Sequence, residues 1–350
     1  MPFFTSSDKA LWRLALPMIF SNITVPLLGL VDTAVIGHLD SPVYLGGVAV
    51  GATATSFLFM LLLFLRMSTT GLTAQAFGAK NPRALARALV QPLLLALGAG
   101  MMIALFRTPL IELALHIVGG NDAVLVQARR FLDIRWLSAP ASLANLVLLG
   151  WLLGVQYARA PVILLVVGNI LNIALDLCLV MGFHMNVQGA ALATVIAEYA
   201  TLLIGLIMVR RVLHLRGVSL DMLKQAWRGN VRRLLALNRD IMLRSLLLQL
   251  CFGAITVLGA RLGSDIIAVN AVLMTLLTFT AYALDGFAYA VEAHSGQAYG
   301  ARDGSKLLEV WRAALSAVRN SGPAIFHGLC PGRRTYCRVT DFVAANTATG

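Results

Sequence analysis

The sequence predicts an all-α fold, a polytopic bundle of membrane-spanning helices. Three observations carry that reading. Apolar residues make up 59% of the chain and charged residues only 13%, where a soluble domain carries about a quarter charged. The apolar residues come in runs of twenty or more, and a helix rising 1.5 Å per residue needs ~20 of them to cross ~30 Å of hydrocarbon. Finally, a stretch of the chain recurs at an offset of 222 residues.

Eight apolar runs are candidate spans: 11–37, 44–75, 88–106, 131–157, 160–182, 188–213, 238–260 and 265–297. The first is too long for a signal-peptide core and contains Asp32, so it reads as a retained span. Pro17 and Pro26 interrupt it, and each removes a backbone donor, which predicts a hinge. The mixed stretch 107–130 reads as an amphipathic segment at the interface. The loops after the first and fifth spans hold no Lys or Arg. Those after the second and sixth hold Lys80, Arg83 and Arg87, then a series from Arg210 to Arg239 that includes Lys224. Basic loops stay on the cytoplasmic side, so the amino terminus is expected inside a bacterial inner membrane.

The repeat sets AQAFGAKNPRAL at 74–85 against GQAYGARDGSKL at 296–307. Ungapped comparison of 35–85 with 257–307 gives 12 identities in 51 positions, about twice the chance expectation for apolar sequence. Six helices separate the copies, and an even number restores the orientation. The halves are therefore parallel, as in transporters with a central cavity between two bundles.

An ionisable residue at membrane depth costs ~2.5–3.5 kcal/mol or more and needs a reason. Measured from the outer helix ends at Gly37, Gly182 and Gly189, Asp32, Asp176 and Thr194 all lie ~8–9 Å deep. Asn172 stands one turn from Asp176, and Glu198 one turn from Thr194. Two carboxylates beside a hydroxyl and an amide offer oxygen ligands to Na⁺, or share a proton. The competing reading leaves these groups hydrogen-bonded between neighbouring helices. Glu198 and, late in the eighth span, Asp285 and Glu292 are candidates for a cavity lining. Arg66, ~33 Å along the second helix from Tyr44, is expected to snorkel to the inner surface.

Other chemistry lacks its signatures. There is no G-x-x-x-x-G-K-[ST] loop and no H-E-x-x-H, and Cys178, Cys251, Cys330 and Cys337 form neither a zinc spacing nor a disulfide framework. The basic residues lie in short breaks and not on one face, against nucleic-acid binding. The chain is expected to be no enzyme, to need no cofactor, and to hold no metal beyond Na⁺ at Asp32 and Asp176.

LPMIFSNITVPLLGLVDTAVIGHL, GLTAQAFGAKN, NILNIALDLCLVMG and VQGAALATVIAEY, in this order, resemble the multidrug and toxic compound extrusion (MATE) family. The resemblance implies twelve helices in two six-helix lobes and antiport of organic compounds against H⁺ or Na⁺ by a monomer. It implies cation coupling at Asp32, Asn172, Asp176 and Thr194. On this pattern 1–213 forms a six-helix lobe, 214–237 a basic cytoplasmic linker and 238–316 a partial second lobe, so about eight of twelve helices are present. From about Ala317 the sequence departs from the family pattern: SGPAIFHG and CPGRRTYC place Pro and Gly at short intervals that break helix and strand. A frame change near Leu315 accounts for this best and a natural truncation second, and 317–350 is expected to be non-spanning and disordered. Two rival functions are a lipid-linked precursor flippase, which would want a strongly cationic cavity, and a truncated membrane protein that does not transport.

Overall fold

The computed structural model of the chain describes residues 6–229 and 231–329, and every regular element among them is helical. In order these are α1 (Ser6–Gly37), α2 (Pro42–Leu62), α3 (Phe64–Gly78), α4 (Pro82–Leu105), α5 (Arg107–Val118), α6 (Asp122–Arg135), α7 (Ala139–Gly154), α8 (Arg159–Asp176), α9 (Asn186–Leu215), α10 (Leu220–Gln225), α11 (Arg232–Leu262), α12 (Ser264–Gly300) and α13 (Gly304–Leu329). Among the described residues seven stretches are long and apolar enough to cross a bilayer: Asp8–Gly37, Pro42–Gly78, Pro82–Leu105, Asp122–Gly154, Arg159–Gly182, Asn186–Leu215 and Val272–Gly300. The expected span 238–260 lies within α11, several of whose side chains fall outside the described residues.

Local chemistry sets the helix starts. Ser41 and Asn81 cap α2 and α4, accepting hydrogen bonds from the N–H groups of Val43 and Ala84, with Pro42 and Pro82 at the first helical positions. The core lies around α7, where Leu143, Val147, Leu148, Trp151, Leu152 and Leu153 are fully buried. The Trp151 indole donates to the Leu85 carbonyl at 3.1 Å. A Cβ on Gly150 would come 2.6 Å from the Arg66 carbonyl, and one on Gly154 would come 2.6 Å from the Thr73 Cβ, so these glycines let α7 cross α3 at close range. Small residues serve this purpose in membranes, where hydrophobic force between helices is absent. The buried hydroxyls of Thr69 and Thr70 satisfy themselves on the carbonyls of Leu65 and Arg66.

The expected second span is present as Pro42–Gly78, with a one-residue turn at Leu63 dividing it into α2 and α3. Three expectations need correction. The stretch 107–130 is no single interfacial segment: α5 turns back into α6, whose residues begin the fourth span at Asp122. Its charges pair across that hairpin, Arg107 with Asp133 at 3.1 Å and Arg129 with Glu112 through two bonds of 2.6 and 3.0 Å. α1 runs unbroken past Pro17 and Pro26, as membrane helices tolerate. The stretch from Ala317 is helical through Leu329 as part of α13, and residues 330–350 lie outside the described residues. α13 is held because Val310, Ala313 and Ala317 are buried, the alanines in a cluster with Leu11, Leu14, Phe287 and Ala290.

The repeat is visible as geometry. After α3 the chain turns through Lys80 at φ 52, and after α12 through its counterpart Arg302 at φ 57. In both turns the next amide reaches back to the same motif position: Asn81 N–H to the Ala76 carbonyl at 3.2 Å, Asp303 N–H to the Ala298 carbonyl at 3.1 Å. Each turn then ends on a side chain that caps the next helix, Asn81 for Ala84 and Asp303 for Lys306. Two basic residues hold the left-handed conformation usually left to glycine. The two copies also face one another, with Gly78 against the Gln297 carbonyl and Gly300 against the Gln75 carbonyl.

Candidate functional site

Three helices supply the first cluster. Asp32 lies near the end of α1, Asn172 and Asp176 on α8, and Thr194 on α9. Asp176 and Asn172 are 2% and 4% exposed, and the Asp32 and Asp176 carboxyls lie close enough for each to feel the charge of the other. The Asn172 amide donates to the Thr194 hydroxyl at 3.4 Å, and that hydroxyl donates to the Ala190 carbonyl at 3.2 Å. After Asp176 the helix loosens to π geometry over Leu177–Gly182, a local defect common at functional positions. No donor of the described residues reaches Oδ1 of Asp32, either carboxyl oxygen of Asp176, or Oδ1 of Asn172. Four acceptor oxygens thus gather in a buried place without a donor. Such groups are costly there unless a proton or a cation joins them.

Glu198 belongs to a different network. Its carboxylate accepts from the Asn145 amide at 3.0 Å and lies 3.9 Å from Arg135. Arg135 also feels the charge of Asp32 and stacks over Phe59, its guanidinium 5.3 Å from the ring centre. Arg135 lies inside the expected span 131–157 but was not singled out there, because its partner Glu198 is distant in sequence. Sequence reasoning also missed Asn169, whose amide donates to the Thr24 hydroxyl at 2.6 Å and ties α8 to α1.

A second cluster joins α3 to α12. Arg66 is 4% exposed, lies 3.6 Å from the Glu292 carboxylate and sits 4.0 Å from the ring centre of Tyr289. It does not snorkel to the surface. The facing helix α12 supplies a counter-ion and an aromatic face, so burial costs less than reaching for water. Asp285 lies within the field of the same guanidinium. Of the three acidic residues expected to line a cavity, Glu292 is therefore an ion-pair partner of Arg66, Glu198 faces Arg135, and Asp285 stands close to the Arg66 cation.

Seven apolar spans among the described residues, an internal repeat and a carboxylate pair at membrane depth define a polytopic helical membrane protein of the kind that moves small solutes. The profile of the MatE family matches residues 17–178. DNA damage-inducible protein F of Escherichia coli (strain K12) is 90% identical over 322 residues, 92% of this chain and 70% of that protein. A probable multidrug resistance protein NorM of Thermotoga maritima is 28% identical over 55% of this chain and 42% of its own length. Among solved structures, a multidrug resistance MATE family transporter of the MOP superfamily in its outward-facing conformation superposes with a TM-score of 0.80 at 21% identity, covering 97% of this chain and 78% of that one. The chain belongs to the MatE family, whose members are membrane transporters of multidrug and toxic compounds.

Proposed function

We propose that this chain carries the cation-coupling half of an antiporter that exports organic, drug-like compounds in exchange for H⁺ or Na⁺. The carrying observation is the set of donorless buried oxygens on Asp32, Asp176 and Asn172, with Thr194 completing the group through Asn172. Two carboxylates within reach of one another repel in a medium of low dielectric, and one bound cation removes the repulsion. An oxygen-only ligand set suits Na⁺ as well as a proton, so both ions are candidates. The organisation that supports this reading is a six-helix lobe over 1–213, a basic linker over 214–237 and a partial second lobe over 238–316. A flippase with a cationic cavity is disfavoured, because Glu292 neutralises Arg66 and Glu198 faces Arg135.

Proton release tests the reading directly. Adding sodium chloride or ethidium to the purified chain in weakly buffered detergent should release protons to a pH dye. Asp32→Asn and Asp176→Asn should each abolish the release while the helical content stays unchanged. Equal release from both variants, or none from the parent chain, removes the assignment.

A further inference from the structure

A cavity of about 720 Å³ opens where the two repeat copies meet, at the helix ends that carry the basic loops. That size falls within the ~300–1,000 Å³ of small-ligand sites. Its polar wall holds Arg87 from α4, Arg233 from α11 and Arg302 from the turn after α12, and its floor is apolar, with Leu72, Pro92 and Leu307. Asp303 is the single acid in the lining, and its Oδ1 is already engaged by the Lys306 N–H at 3.1 Å and the Ser305 hydroxyl at 2.7 Å. Arg87 and Arg302 form no ion pair among the described residues, while Arg233 donates to the Gln75 side chain at 2.6 Å. Three arginines therefore face one carboxylate, all exposed to the cavity mouth.

We infer that this pocket, lined by Arg87, Arg233 and Arg302 above an apolar floor, binds a phosphate-bearing anion, the headgroup of an anionic phospholipid. Every basic residue in the lining is an arginine, and the planar guanidinium matches phosphate oxygens through two parallel hydrogen bonds where an ammonium offers a point charge. The depth fits as well. Gly78 and Gly300 end two candidate spans, so the pocket sits at span ends beside the basic loops, where basic pockets between helices collect anionic lipids. The apolar floor would take the glycerol and upper acyl carbons. A soluble phosphate compound would use the same arginines without the floor. The site is also composite. Arg87 comes from the helix after the first copy of the motif and Arg302 from the turn after the second, so an occupant stabilises the packing of the two copies seen here.

The test uses the purified full chain in mild detergent, with diphosphatidylglycerol, phosphatidylethanolamine and inorganic pyrophosphate as separate probes. Native mass spectrometry should show diphosphatidylglycerol retained and phosphatidylethanolamine lost, and the thermal midpoint should rise with the first lipid alone. Arg87→Gln and Arg302→Gln should each weaken retention about fivefold, and Arg302→Lys should weaken it less. Arg210→Gln with Arg211→Gln, on exposed positions of α9 outside the pocket, should leave it unchanged. Arg302 is exposed in a turn, so its variants fold and read the site even where an Arg87 variant does not. Pyrophosphate that displaces the lipid supports one shared phosphate site. Pyrophosphate that binds tightly while the lipid is not retained overturns the lipid assignment, and retention indifferent to the pocket arginines overturns the site.

Discussion

Gly78 of α3 lies against the backbone carbonyl of Gln297 on α12, leaving no room for a methyl group, and Gly300 meets the carbonyl of Gln75 in the same way. The two copies of the repeated motif thus close on each other through their glycines. Gln75 and Gln297 then use their side chains outward, accepting from Arg233 and Gln156 at 2.6 Å each. The contact explains why glycine stands at both positions although helices disfavour it.

A methyl group placed there should force α3 and α12 apart. Gly78→Ala and Gly300→Ala should each destabilise the chain by about 1–3 kcal/mol, seen as a lower midpoint in thermal unfolding. Gly71→Ala is the matched control on the same helix, because nothing lies within 4 Å of its Cβ position. It should be neutral or gain up to about 1 kcal/mol from helix propensity.

The Arg66–Glu292 pair gives a second test. Glu292→Gln strands a buried guanidinium and should cost up to about 3 kcal/mol, at the low end for buried pairs because the Glu292 side chain keeps 25% of its surface exposed. Replacing both partners at once, with Arg66→Met and Glu292→Leu, should cost less than either single change. Strictly additive losses in a double-mutant cycle would show that the two side chains do not interact.

Orientation is checked by labelling. Basic residues concentrate after Gly78 and after Leu215, so cysteines at Lys80 and Lys224 should resist impermeant maleimide in intact cells and react after permeabilisation. Ready labelling in intact cells would invert the topology.

Much of this fold was legible because the bilayer imposes it. Apolar run length gives spans, and a fixed register gives the repeat, which the Lys80 and Arg302 turns reproduce atom for atom in their capping. The carboxylate group was legible because Asp32, Asp176 and Thr194 share a depth, and helical rise converts sequence position into depth. Partner identity was not legible. Arg66 was misjudged and Arg135 passed over because their counter-ions, Glu292 and Glu198, are distant in sequence, and only helix packing brings each pair together. α13 was missed because Gly322 and Pro323 signal a break, while the core contact of its middle turns at Ala313 and Ala317 depends on α1 from the other end of the chain.

Coupling at the carboxylate pair is tested most directly by ethidium movement in vesicles containing the chain, driven separately by a pH gradient and by a sodium gradient, for the parent chain and for Asp32→Asn and Asp176→Asn. At least one gradient should drive exchange in the parent chain, and both variants should fall to the leak of protein-free vesicles. Gradient-driven exchange that survives both substitutions would contradict the assignment of the coupling cation to Asp32 and Asp176.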